Sequence, residues 1–424
     1  MMSFEESREI ILRSVTTLEA EQTKLLESLG LIIAETVIAP VNLPPFDNSA
    51  MDGYAVRVGD CGGSEPLTIT GYIPAGGVAT AEVTPGTAVK IMTGAPIPRG
   101  CDAIVPIEEA EQFGDTVRIV ADRILPGQHI RRAGEDVRQG ETVLVPGTVI
   151  RVPEIGLLAT LGRADVYVYR RPLVAILSTG DELVEPGQPL PKGKVFNCNS
   201  QALAAAVREA GAVPILLGIA QDDRVDTSKK IAEGLQADVL ITAAGVSVGD
   251  RDFVRETLAA LAVKQILWKV DMKPGKVMAF GTHLGKLVFS LPGNPVSAMI
   301  TFEELVRPAL LKLMGHKQVL KPLVTAVLQE GLRKKPGKTY FLRVKLKSKN
   351  DKYLAWSAGK QDTGCLKTMV HTDALAILPA DRTWFAAGEE ISVHMLGSCV
   401  VEECDNPTHS QNVPCNGAFE RATA

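Results

Sequence analysis

No apolar run in this chain is long enough to cross a bilayer, and Met1-Met2-Ser3-Phe4-Glu5-Glu6 lacks the basic and apolar regions of a signal peptide. A soluble cytoplasmic protein without a membrane partner is the expectation. Excess positive charge is also missing: the formal net charge is −4, which argues against a nucleic-acid binder. Histidine is scarce, at six residues, and none lies beside the glycine-rich turns of the chain, so histidine acid–base chemistry is not expected. No Cys-x-x-Cys pair occurs among the seven scattered cysteines, which suits reduced thiols better than a disulfide framework. The one metal-like spacing, Cys399, Cys404, His409 and Cys415, misses the usual zinc patterns, sits in a polar tail and is read as coincidence. There is no Walker A sequence, no Gly-x-Gly-x-x-Gly after a strand, no Gly-x-Ser-x-Gly elbow and no His-Glu-x-x-His. These absences remove the commonest nucleotide, hydrolase and metalloprotease readings. No internal repeat is evident.

What is present is a chain of 424 residues with 46% hydrophobic content, enough for several cores and hence several domains. Ser3 and Glu6 form a capping box ahead of Ile10, Ile11, Val15 and Leu18 at helical spacing. A second short helix is expected over 21–29, ending at Gly30. Residues 37–149 are rich in Gly, Pro, Val, Thr and Ile and read as β. After Pro172 the texture alternates. Strands are expected at 173–177, 213–217 and 239–241, helices at 201–210 and 225–235, and further strands of the same sheet at 265–270 and 287–291. That alternation calls for a mostly parallel sheet with right-handed crossovers. Asn294-Pro295 opens a long helix with a kink at Pro308. Residues 320–402 return to β texture and suggest a small barrel or sandwich. The tail from Glu402 has no periodic pattern and is expected to be disordered.

Four turns come directly after strands of the α/β region, so topology places them on one edge of its sheet. They are Ser178-Thr179-Gly180-Asp181-Glu182, Asp222-Asp223, Gly245-Val246-Ser247-Val248-Gly249 leading to Asp252, and Ser290-Leu291-Pro292-Gly293-Asn294-Pro295. Glycines let the backbone approach an oxyanion closely. Glu182, Asp222 and Asp252 converge beside them as a hard-oxygen set suited to Mg²⁺ bridging phosphate. The bland alternative is that these acids only cap helices. Met272-Lys273-Pro274-Gly275-Lys276 adds two point charges suited to an oxyanion, against the alternative of a solvated turn. The basic residues from Arg333 to Lys352 read chiefly as protection of exposed strands.

The motifs, in order, resemble those of the molybdopterin molybdenumtransferases, the MoeA family that includes the E domain of gephyrin. The matching stretches are Phe46–Ala55, Thr93–Pro96, Arg132–Asp136, Ser178–Leu183, Gly245–Gly249 with Asp252, Met272–Lys276 and Leu291–Ser297. The resemblance implies an elongated dimerisation domain from residues 1–40 and 142–170. It implies an inserted β-rich domain over 41–141, a MogA-like molybdopterin-binding α/β domain over 171–318, and a C-terminal β-barrel over 319–403, with a tail at 404–424. It also implies a homodimer whose clefts combine the α/β domain of one subunit with other domains of its partner. Molybdopterin adenylyltransferase and molybdoenzyme maturation proteins are candidate partners. The implied reaction inserts molybdate into adenylylated molybdopterin with Mg²⁺ and releases AMP. Asp52, Thr93, Asp136, Glu182, Asp222 and Asp252 carry over as catalytic residues, the last three as metal ligands. Ser178, Thr179, Gly180, Gly245, Ser247, Gly249, Lys273, Lys276, Pro292, Asn294 and Ser297 carry over as substrate or anion contacts, with Arg343 and Thr363 added from the last domain.

This sequence departs from the family pattern in three places. Ala244 stands where a second glycine is usual, and its methyl group requires a negative φ. Cys198 replaces an Asp or Ser in Asn197-Cys198-Asn199-Ser200, and Thr363 replaces a Ser. Two other readings stand beside the insertase: a MogA-like adenylyltransferase using ATP, and a gephyrin-like scaffold for partner peptides. Tungstate, similar in size and charge, is an alternative oxyanion.

Overall fold

The computed structural model describes residues 2–63, 65–245 and 253–397. Ser247, Gly249, Asp252 and the Cys399–Cys415 tail cluster lie outside the described residues. Its fold is a multidomain α/β architecture, and the α/β domain is what positions the site. In chain order the elements of that domain are β1 (Leu173–Thr179), α1 (Cys198–Glu209), β2 (Val213–Ala220), α2 (Arg224–Gly234), β3 (Val239–Ala243), α3 (Phe253–Ala260), β4 (Lys264–Trp268), β5 (Val270–Lys273), β6 (Ala279–His283), β7 (Lys286–Leu291) and α4 (Pro295–Thr301). The sheet order is β2-β1-β3-β7-β6-β4. The first four strands run parallel, with Val174 opposite Val239 and Val239 opposite Leu287. Every residue of β3 is buried, as expected of an apolar run covered on both faces. The helices are set by their caps. Asn197 accepts from Ser200 N at α1, and Asp223 accepts from Val225 N and Asp226 N at α2. Asp223 is therefore a helix cap, the bland reading of that acid.

Two expectations change here. The apolar run at 265–270 does join the same sheet, but at its edge and antiparallel: β4 pairs with β6, while Val270 already begins β5, which leaves for another sheet. The predicted helix at 21–29 is instead a strand, Ala20–Lys24, followed by a single 3-10 turn. Antiparallel pairing with Asp165–Tyr169 outweighs a weak local helix preference. The Ser3–Glu6 capping box forms as predicted. Its helix, Phe4–Arg13, packs into the α/β core, with Phe4 edge-on to Phe341 at 4.8 Å. The long helix after Asn294 contains a π-turn at Phe302–Val306, immediately before the segment holding Pro308.

A separate core joins Ile33, Val37 and Leu43 to Val137, Leu158 and Val168, and a six-stranded sheet from 53 to 119 lies between them in sequence. In the C-terminal region, strands Thr339–Lys349, Lys352–Ser357, Val324–Leu328, Glu390–Met395 and Ala374–Leu378 form a closed barrel, because the first also pairs with the last. β5 adds to this sheet, with Lys273 opposite Tyr340. That pairing brings the Lys273 turn from the α/β domain against the barrel. No helix among the described residues is long and apolar enough to cross a membrane.

Candidate active site

The four parallel strands end at Thr179, Ala220, Ala243 and Leu291, and a cleft of about 520 Å³ opens at this carboxyl edge. Thr179, Glu182, Asn199, Gly245, Lys276, Pro292, Asn294 and Ser297 line it. Two glycines shape the wall. A Cβ on Gly180, whose φ is +141°, would sit 2.3 Å from Glu182 Oε2, so the carboxylate lies against bare backbone. A Cβ on Gly245 would come within 2.3 Å of Val254 Cγ2. Asn294 occupies the cap position of α4 but makes no side-chain capping bond, which leaves its exposed amide for the cleft. Ser297, on the first turn of that helix, is buried at the cleft wall.

Ala244 corrects the expectation about its backbone. Its φ is +78°, not negative, although it carries a methyl group. The left-handed region costs a non-glycine residue about 1–2 kcal/mol. Glycine there would regain that strain but lose about 0.4–1 kcal/mol through a freer unfolded chain. Ala244→Gly is therefore expected to raise stability by about 0.5–1 kcal/mol, read as a higher urea midpoint at unchanged slope.

Glu182 and Asp222 lie just beyond the ends of neighbouring strands. Asp222 N donates to Asp181 Oδ1 at 3.0 Å, which ties the two turns together. Among the described residues no three His, Cys, Asp or Glu side chains are grouped to hold one metal ion. The third expected ligand, Asp252, is outside that set. Exposed Glu182 and half-buried Asp222, on adjacent turns, are hard oxygen donors, the chemistry Mg²⁺ prefers.

Lys273 and Lys276 separate. Lys276 lines the cleft, whereas Lys273 faces the barrel, with Nζ 5.0 Å from the Tyr340 ring centroid. Lys334 Nζ lies at the same distance from that ring and donates to Lys338 O at 3.1 Å. Desolvation, then the charges of Lys338 and Lys335, hold the Lys273 ammonium below the usual lysine range. Because the folded-state pKa is depressed, the penalty for charging Lys273 is fully present below that pKa and fades as pH rises toward the unfolded value. An oxyanion held by Lys273 depends on the charge and is lost as pH rises through the lowered pKa. Replacing Lys335 and Lys338 together by Gln is expected to move the alkaline limb of oxyanion binding at Lys273 to higher pH, measured by equilibrium dialysis with inorganic phosphate.

The motifs from the N-terminal half meet one another. Thr93 donates to Asp52 Oδ1 from both its backbone N and its Oγ1, each at 2.7 Å. These bonds, the backbone one first, hold the Asp52 carboxyl below the usual carboxylate range. Asp47 accepts from Arg132 Nη1 at 2.6 Å and Ala133 N at 2.8 Å. Asp136 N donates to Leu43 O at 3.0 Å and leaves the Asp136 side chain exposed. None of Asp52, Thr93 and Asp136 lines the α/β cleft of its own chain.

Two expected contacts are placed elsewhere. Ser178 is fully buried, and its hydroxyl donates to Asn197 Oδ1 at 2.9 Å and meets Ser200 Oγ at 2.8 Å. It pins β1 to the start of α1 and does not face the cleft. Arg343, 1% exposed, differs from the oxyanion contact expected of it. Its guanidinium donates to the carbonyls of Lys360, Asp362 and Cys365, to Gln361 Oε1 and to Thr368 Oγ1. It thus holds the loop on which half-buried Thr363 sits. Asn199, missed as a site residue, lines the cleft and ties α1 to the Pro292 turn through Nδ2 to Gly293 O at 2.7 Å. The signal for it was its place two residues beyond the Asn197 cap.

An α/β sheet whose carboxyl-edge cleft joins glycine turns, acids and a lysine is the design of a phosphate-bearing ligand domain. Residues 175–312 match the family model described as "Probable molybdopterin binding domain". Residues 2–162 match the MoeA N-terminal region (domain I and II), and 325–396 match the MoeA C-terminal region (domain IV). A molybdopterin molybdenumtransferase of Haemophilus influenzae is 37% identical over 94% of this chain and all of its own length. Molybdopterin molybdenumtransferase 2 of Mycobacterium tuberculosis is 37% identical over 93% of this chain and 99% of its own. The molybdopterin biosynthesis MoeA protein from Pyrococcus horikosii superposes with a TM-score of 0.80 at 28% identity, covering 94% of this chain and all of that one. The chain belongs to the molybdopterin molybdenumtransferase (MoeA) family, a family of transferases of molybdenum cofactor biosynthesis.

Proposed function

We propose that this chain transfers molybdenum from molybdate to adenylylated molybdopterin and releases AMP, and that it works as a homodimer. The observation that carries the reading is the single cleft uniting Glu182, Lys276 and the bare backbone at Gly180 and Gly245. Lys276 and the backbone at Gly245 hold the negative oxygens of substrate; the family resemblance assigns Ser247 and Gly249, outside the described residues, to the same role. Pro292 and Asn294 border the same space. Glu182 and Asp222, with Asp252, would hold Mg²⁺, which when bound neutralises the diphosphate of the substrate. A water oxygen attacks the phosphorus on the molybdopterin side, the phosphoanhydride P–O bond breaks, AMP leaves, and the water's protons pass to solvent. The two dithiolene thiols bind the metal in place of one oxide of molybdate, and that oxide takes up their two protons and leaves as water. No covalent enzyme intermediate is needed.

The dimer reading rests on two features. Asp52 and Thr93 are hydrogen-bonded to each other, Asp136 is exposed, and none of the three lines the cleft of its own chain, so in this reading a second copy presents them. Leu26, Ile38 and Val152, in the first segment and its returning partner, are 77%, 56% and 75% exposed and supply apolar surface for pairing. The test incubates purified protein with adenylylated molybdopterin, molybdate and Mg²⁺. AMP release together with active cofactor is expected. Formation of adenylylated molybdopterin from ATP without its consumption would instead establish the adenylyltransferase reading. Tungstate in parallel reactions reports the metal preference.

A further inference from the structure

The α/β domain and the C-terminal barrel meet at a buried pair of titratable side chains that the proposed reaction does not use. Glu304 is 3% and His394 5% exposed, and His394 Nδ1 lies 2.9 and 3.0 Å from the two carboxylate oxygens of Glu304. A ring nitrogen and a carboxylate approach this closely with a proton between them. Glu304 comes from the π-turn Phe302–Val306, in the helix that opens at the cleft with Asn294. His394 comes from the last barrel strand, Glu390–Met395. A π-turn holds one residue more than an α-turn, which rotates the side chains after it by about 100°, and such turns are frequent at functional positions. A second bridge stands beside the pair: Lys321 Nζ is 2.6 Å from Glu303 Oε1 and 2.6 Å from Met395 O. Arg307 Nε lies 3.6 Å from the same Glu303 oxygen.

The same helix holds the Lys273–Lys276 turn from two sides. Directly, fully buried Thr301 stands against Gly275: a Cβ on that glycine, whose φ is +101°, would sit 2.3 Å from Thr301 Oγ1. The Thr301 hydroxyl has no hydrogen-bond partner among the described residues, so its part in this contact is shape. Indirectly, Glu304, three residues on, grips His394. The His394 strand pairs with Ala374–Leu378, that strand with Thr339–Lys349, and that one with β5, where Lys273 lies opposite Tyr340. The later half of the turn therefore rests on the helix, and its first lysine on the barrel that Glu304 seats there. A buried charged pair adds little stability over apolar packing, but its hydrogen bond has a direction and admits one geometry. We infer that Glu304 and His394 are positioning residues: their bond sets the barrel on the helix and thereby keeps Lys276 in the cleft and Lys273 against the barrel. The inference rests on the proposed function for the anion that the lysines hold.

The test uses Glu304→Leu/His394→Leu, which removes the bond without leaving an unpaired buried charge. Its companion is His394→Asn, whose Nδ2 takes the place of the ring Nδ1 as donor to Glu304. Two quantities are read on the full chain: amide hydrogen exchange over 270–276 without substrate, and affinity for inorganic phosphate by equilibrium dialysis. In the double variant, exchange is expected to quicken about tenfold and phosphate affinity to fall about tenfold, the effect of losing one charged hydrogen bond to the anion. His394→Asn is expected to stay within about twofold of wild type in both. A lowered melting temperature with both quantities at the wild-type level assigns the pair to stability alone and overturns the inference. So does a His394→Asn protein as impaired as the double variant. If the double variant does not fold, Glu304→Gln, which keeps shape and loses charge, is read instead, with changes of about two- to threefold expected and none overturning the inference. Exchange needs no substrate, so wild-type protein that releases no AMP overturns the proposed function while exchange still decides the role of the pair.

Discussion

Glu182→Gln is expected to slow molybdenum transfer by about 100- to 1,000-fold, the usual effect of removing one preorganised electrostatic group from a reacting centre. The substitution keeps shape and removes charge. The side chain is exposed and lines the cleft, so stability should stay within about 0.5 kcal/mol of wild type. Its carboxylate lies where a Cβ on Gly180 would be, 2.3 Å from Oε2, which fixes it against the turn without a salt bridge to another side chain among the described residues. A charge placed this way, unpaired by a salt bridge among the described residues, suits a cation. The variant should regain part of its activity as Mg²⁺ is raised, because a weakened ligand set is filled by mass action. Steady-state rates at a series of Mg²⁺ concentrations, with circular dichroism as the folding control, give the answer. Full activity at low Mg²⁺ would remove Glu182 from the site. An equal loss at all Mg²⁺ concentrations would assign its role to substrate orientation instead.

The Glu182 turn is legible in the sequence because of where it falls. Val174–Leu177 is a continuous apolar run that can only be a strand covered on both faces. The turn after such a strand in a parallel sheet must lie at its carboxyl edge. The same logic locates the turns at Asp222, Gly245 and Pro292 from the sequence alone. It reaches only part of the way at 265–270, where the run joins the expected sheet as an antiparallel edge strand and its last residue begins a strand that pairs with the barrel. Apolarity reports burial and carries no information about which sheet a strand joins. Arg343 shows a second limit. A lone arginine on a strand looks like an anion contact, but this one is surrounded by carbonyls of residues 360–365 that only the fold brings near. Lys334 is similar: it lies in a run that reads as a solvated edge, yet it is 6% exposed and hydrogen-bonded to backbone. The positive φ of Ala244 is equally invisible in the sequence, since residue type alone cannot tell a tolerated strain from a regular conformation.

Mixing two inactive chains is expected to restore activity, and this is the sharpest consequence of where Asp52 and Glu182 lie. Asp52 is anchored to Thr93, in a sheet separate from the α/β domain, and is absent from the lining of its own cleft. Asp52→Ala and Glu182→Gln chains, each alone, are predicted to be inactive to within about the 100- to 1,000-fold losses above. In a homodimer whose clefts draw on both subunits, a mixed pair has one site with both defects and one site with neither. Random reassortment makes about half the dimers mixed, so recovery should approach about one quarter of wild-type activity per chain. The experiment denatures, mixes and refolds equal amounts of the two variants, or coexpresses them with different affinity tags and purifies the mixed pair. If Asp52 and Glu182 serve the same site within one chain, every site in the mixture keeps one defect and activity stays at the level of the single variants. Recovery scaling with the fraction of mixed dimers, and vanishing when both substitutions are placed on one chain and mixed with itself, would assign each cleft to two subunits.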